Sequence, residues 1–167
     1  MSLVPMTGWK LAPNYEIAKT HPEYYMGMGL TAEEIAKQFK ISREDQDLFA
    51  YNSHMKAVNT INNGYFKEQI VPIEVEHVYI ENQKRKTKKF IVNTDEGPRA
   101  DTTLEALAKL KPAFASDGTV TAGNASQTSD GAAFVIVMSE EMVKELNIKP
   151  LARLVSYSVA GVDPRIM

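Results

Sequence analysis

The stretch that decides the fold is residues 119–139, "TVTAGNASQTSDGAAFVIVMS". Ala122 to Ala133 are all small or polar, and then the chain turns abruptly apolar at "FVIVM". Small residues let a backbone come close to a ligand or to another backbone, or bend tightly. An apolar run of this length without alternation is expected for a strand covered on both faces. Downstream, "EEMVKELNI" predicts a helix and "LARLVSYSVAGV" a second strand. A β-α-β order of this kind signals a layered α/β core.

Upstream of that stretch, residues 1–29 are expected to be loop-like, punctuated by Pro5, Gly8, Pro13, Pro22, Gly27 and Gly29. "TAEEIAKQF" then predicts a helix, with Thr31 as N-cap and Glu34 three residues later as its capping-box partner. A second helix is predicted to open at Ser42, with Asp45 in the reciprocal position, and to stop at Gly64. Phe66 to Ile80 is expected to be extended, and Pro72 makes it an edge or bent strand. "ENQKRKTKKF" is expected to form a hairpin tip leading into "FIVNT". "TTLEALAKL" predicts a third helix, capped by Asp101 or Thr102 and closed by Pro112.

Composition narrows the classes of function. The 167 residues, 44% hydrophobic and 24% charged, suit one ordinary domain, or a small domain with part of another. A net charge of −2 argues against a dedicated nucleic-acid binder, since phosphate neutralisation needs a basic excess. There is no cysteine, so disulfides, thiolate metal sites and a cysteine nucleophile are excluded within these residues. No apolar run approaches the roughly 18 residues of a membrane span, and the N-terminus has no signal-peptide pattern.

Few residues stand out chemically. His21, His54 and His77 have no second ligand at metal-binding spacing, which favours ordinary histidines. The basic run Lys84, Arg85, Lys86, Lys88 and Lys89 is expected to be a solvated tip that discourages edge pairing rather than an anion site. Arg99, in a Gly-Pro loop ahead of a helix, suits either a base or phosphate contact or a salt bridge to a nearby acid. In the small-residue stretch, Gly123, Gly131, Asn124 and Ser126 suit either an amide-bearing ligand arm or plain close packing. Spacing alone chooses neither.

These motifs carry a resemblance. "TVTAGNASQTSDGAA" preceded by "TTLEALAKLKPAF" and followed by "KPLARLVSYSVAGVDPRIM" closely resembles the thiolases, which are acetyl-CoA acyltransferases. "MGLTAEEIAKQFKISREDQDLFAYNSH" resembles the start of that family's loop domain. Gly27, where biosynthetic members often carry histidine, makes the bacterial degradative 3-ketoacyl-CoA thiolases of fatty-acid β-oxidation the nearer likeness.

The resemblance implies an α/β, thiolase-like fold: a CoA-covering loop domain over residues 1–128, the last strand-helix of the N-terminal core over 129–149, and the first strand of the C-terminal core over 150–167. It implies CoA or acyl-CoA as substrate and no permanently bound cofactor. It places Arg99 beside the adenine end of CoA and Ser126 on the pantetheine arm, with Met28, Phe114 and Met167 lining the pantetheine and acyl tunnel. It further implies a cytoplasmic homo-oligomer that engages neither nucleic acid nor membrane.

The family's nucleophilic cysteine lies upstream of the region matching Met1, and its NEAF, GHP and CxG motifs lie downstream of the region matching Met167. The chain is therefore expected to be an internal piece that is inactive alone. A non-catalytic CoA-binding or oligomerisation module is the alternative. The strands predicted at 132–138 and 151–162 would lack neighbours within these residues, so exposed apolar surface, offset by self-association or local disorder, is also expected.

Overall fold

The computed structural model describes residues 12–129 and 131–167. The expected loop around Pro5 and Gly8 lies outside the described residues. The elements in chain order are helix α1 (Tyr15–Thr20), a 3-10 turn (Pro22–Tyr25), helices α2 (Met28–Phe39) and α3 (Arg43–Asn62), strands β1 (Ile73–Glu81) and β2 (Lys84–Val92), and helices α4 (Leu104–Ala108) and α5 (Glu140–Glu145). The chain divides into two units, residues 32–127 and residues 1–31 with 128–167.

In the first unit, local chemistry sets the ends of α3. Ser42 Oγ accepts the Asp45 N–H at 3.0 Å and donates to Asp45 Oδ2 at 2.8 Å. At the other end Gly64 takes φ +74°, and the Tyr65 N–H reaches back to the Thr60 carbonyl at 3.1 Å. That is the left-handed closure a glycine makes cheaply. The third helix is shorter than expected. Its cap is Thr103, whose side chain accepts the Ala106 N–H, rather than Asp101 or Thr102. It ends at Ala108, and Pro112 beyond it forms an isolated antiparallel bridge with Thr121.

Pro72 marks where the hairpin begins, and β1 pairs antiparallel with β2 from Ile73↔Val92 to Glu81↔Lys84. The tip is only Asn82–Gln83, both at positive φ (52° and 62°). This is the two-residue turn whose twist matches a hairpin. The basic run accordingly lies within β2 and not at a tip. Strand β1 supplies its counter-charges: Lys86 pairs with Glu81, while Lys89 lies 3.7 Å from Glu74 and 3.8 Å from Glu76.

The buried set of this unit is small, and two of its five residues are polar. Ala36, Leu107 and Val120 are its buried apolar side chains, and Asp47 and Thr121 are buried beside them. A buried carboxylate is tolerated only with partners. Asp47 Oδ2 accepts Arg43 Nε at 2.8 Å, and Oδ1 accepts Asn124 Nδ2 at 2.9 Å. Arg43 also donates to the Leu107 carbonyl at 2.6 Å and the Leu110 carbonyl at 3.1 Å, tying α3 to α4.

In the second unit, the expected loop over 1–29 is partly helical where described. Asn14 caps α1 by accepting the Ile17 N–H at 3.2 Å. Helix α2 starts at Met28, ahead of the expected Thr31 cap; the Gly27 carbonyl accepts from the Leu30 and Thr31 N–H groups. His21 stacks on Tyr24 and bonds Glu23 at 3.0 Å. Helix α5 forms as expected, with Ser139 accepting the Met142 N–H.

The two strands predicted at 132–138 and 151–162 are absent: those residues carry neither helix nor strand. A strand exists only when a neighbour takes its N–H and C=O groups. Among the described residues the only sheet is the β1-β2 hairpin. Phe134 and Val159 are consequently more than nine-tenths exposed, which is the apolar exposure expected of these segments.

Candidate functional site

Within the unit 32–127, a cavity of about 1020 Å³ is lined by α3, the loop 95–102, α4 and the segment 121–127. Arg99, Phe114 and Ser126 all line it, although they are far apart in the chain. Met28 and Met167, the other two expected site residues, belong to the other unit and are 61% and 67% exposed.

The segment 119–127 is positioned by side chains from two helices. Glu33 of α2 accepts the Thr119 N–H at 2.9–3.0 Å, the Val120 N–H at 2.8 Å and the Thr119 hydroxyl at 3.1 Å. From α3, Gln46 donates to Thr119 Oγ1 at 2.9 Å. Asn124 Oδ1 accepts the Thr121 N–H at 2.7 Å, and its Nδ2 donates to Asp47 and to the Thr119 carbonyl. All the hydrogen-bonding groups of the Asn124 amide thus face the protein. A Cβ on Gly123 would sit 2.5 Å from both Leu107 Cδ2 and Leu110 Cδ1, so this glycine is small to admit α4. At Gly123 and Asn124 the small-polar stretch therefore serves close packing. Ser126 differs: it is exposed, and its hydroxyl makes only a 3.3 Å bond to the Gln127 carbonyl.

Arg99 makes a salt bridge to a nearby acid. Its guanidinium forms a fork with Asp101, Nε to Oδ1 at 3.2 Å and Nη2 to Oδ2 at 3.0 Å. Asp101 raises the Arg99 pKa further, and the Arg99 hydrogen bonds and charge hold the Asp101 carboxyl below the usual carboxylate range. The pair stands in the open, with Arg99 68% exposed, so the guanidinium is oriented while its other edge remains accessible. The loop is also tied to α3, since the Arg99 backbone N–H donates to His54 Nδ1 at 3.1 Å.

Sequence reasoning did not single out Glu33, Asp47 or His54 for these roles. Arg43 and Asp47 stand four residues apart, the spacing of a helical ion pair, and that signal was available. Nothing local marks Glu33 or His54, whose partners lie 86 and 45 residues away. Among the described residues no helix is long and apolar enough to cross a membrane.

Residues 12–141 match the family model described as thiolase, N-terminal domain. The chain is 50% identical, over 168 aligned positions, to the 3-ketoacyl-CoA thiolase of Bacillus subtilis (strain 168); the match takes in all of this chain and 43% of that protein. The chain thus spans less than half the length of this curated relative. Among solved structures, the Bacillus anthracis acetyl-CoA acetyltransferase superposes with TM-score 0.70 at 45% identity, covering 96% of this chain and 40% of that one. The dimeric peroxisomal thiolase of Saccharomyces cerevisiae superposes with TM-score 0.75 at 38% identity, covering 98% and 39%. The motifs, the α/β thiolase-like fold and a family model matching most of the chain agree: this chain belongs to the thiolase family.

Proposed function

We propose that the chain forms the CoA-covering portion of an acetyl-CoA acyltransferase that acts on 3-ketoacyl-CoA with CoA. The observation that carries this reading is one cavity lined together by Arg99, Phe114 and Ser126. A guanidinium already oriented by Asp101 suits a phosphate or the face of a base. The open hydroxyl of Ser126 suits an amide of the pantetheine arm, and Phe114 offers it an apolar wall. Met28 and Met167 are assigned to the pantetheine and acyl tunnel by family likeness.

The reaction of such an enzyme needs a nucleophile that takes the acyl group and a second group that moves protons. These 167 residues contain no cysteine, so the chain by itself is expected to bind CoA without turning it over. Titration calorimetry of the chain with CoA tests the reading. Saturable heat that weakens in Arg99→Ala and Ser126→Ala supports it, and no detectable heat sinks it.

Self-association is a second reading with its own observation. Phe134 to Val137 are each at least 85% exposed, more apolar surface than a lone chain ordinarily leaves in water. A structural neighbour is described as dimeric. Light scattering on the eluting chain checks this, and a clean monomer at high concentration counts against it.

A further inference from the structure

We propose that His54 is a positioning residue for Arg99. Asp101 orients the guanidinium, but Asp101 sits on the same loop and moves with it. The other hydrogen bonds of this loop are equally local: Asp95 Oδ1 accepts the Gly97 N–H at 3.0 Å, and the Arg99 carbonyl accepts the Thr102 N–H at 3.4 Å. Among the described residues, the bond from the Arg99 N–H to His54 Nδ1 is the one hydrogen bond that ties residues 95–102 to a distant element, the 20-residue helix α3. His54 also lines the same cavity. Because Nδ1 accepts, the neutral ring carries its proton on Nε2. The helix thereby sets where the loop sits, and the loop sets where the guanidinium meets an anionic group.

The consequence for binding rests on the CoA reading above. A group held in place before the ligand arrives loses less freedom on binding, which appears as affinity. His54→Phe keeps a ring of similar bulk and deletes the acceptor. His54→Asn keeps an acceptor on the atom bonded to Cγ, where Nδ1 stands.

The test uses the full chain and two readouts: CoA affinity by calorimetry, and hydrogen exchange of the Arg99 amide by NMR, with circular dichroism confirming that each variant is folded. The expected result is that His54→Phe weakens CoA roughly three- to tenfold and speeds Arg99 amide exchange, while His54→Asn restores both. If CoA binds the Phe variant as tightly as the parent, the proposal is overturned. If the parent chain binds no CoA, the functional reading has failed, and the amide decides the positioning role separately. Exchange that speeds in the Phe variant and recovers in the Asn variant upholds that role; exchange unchanged in the Phe variant overturns it.

Discussion

Replacing Asp47 by alanine tests the reasoning about the polar core most sharply. Asp47 is 4% exposed and holds Arg43 with one carboxylate oxygen and Asn124 with the other. Breaking a buried ion pair from one side costs about 3–5 kcal/mol. Arg43 is one-fifth exposed and keeps its bonds to the Leu107 and Leu110 carbonyls, which favours the lower end, about 3 kcal/mol. A single domain has only about 5–15 kcal/mol in total, so this is a large share.

Asp47→Asn should cost less. One amide oxygen can still accept from Arg43, but the amide NH2 then faces the Asn124 NH2. Asn124 cannot turn over to help, because its Oδ1 holds the Thr121 N–H at 2.7 Å. One unmade buried hydrogen bond costs about 1–3 kcal/mol. Urea unfolding followed by circular dichroism should therefore rank the parent above Asn and Asn above Ala, with the Ala midpoint about 1 M or more below the parent. An Ala variant within about 0.5 kcal/mol of the parent, the range of ordinary surface changes, would refute the view that this network holds the segment 119–127.

Three further outcomes can be checked with the same protein. Gly123→Ala must displace both Leu107 and Leu110, because its Cβ would lie 2.5 Å from each; urea unfolding should show a loss of about 1–3 kcal/mol. Gln83→Gly relieves a positive φ of 62° at the hairpin tip and should stabilise the protein by about 0.5–1 kcal/mol, seen as a higher urea midpoint. Arg99→Ala should raise the Asp101 carboxyl midpoint toward the ordinary value in a carbon-detected NMR titration. The sign follows from linkage. The folded-state pKa of Asp101 is depressed, so its contribution is present above the ordinary carboxylate pKa and is lost as pH falls through the folded value. In Arg99→Ala that dependence on pH should shrink.

The sequence by itself determined much that rests on near neighbours, though it misplaced the caps of α2 and α4. The Ser42 cap with Asp45 and the Gly64 stop each need partners within a few residues, and each formed where expected, as did the helix at 140–145. The hairpin was legible too, although Asn82 and Gln83 tightened it to two residues and drew the basic run into β2. Long motifs such as "TVTAGNASQTSDGAA" carried the family, because their order is more specific than any single residue type.

Tertiary structure decided the rest. Whether Arg99 faced an acid could not be read from spacing, since Asp95, Glu96 and Asp101 were all near, and the fold set it against Asp101. Gly123 could have served a ligand or a neighbour until α4 was seen packed against it. Asp47, Glu33 and His54 acquired their roles from groups 45 to 87 residues away. Apolar patterning proposed strands at 132–138 and 151–162, but pairing is a property of two segments. Patterning describes what one segment can bury; only the fold says whether a neighbour is there to meet it.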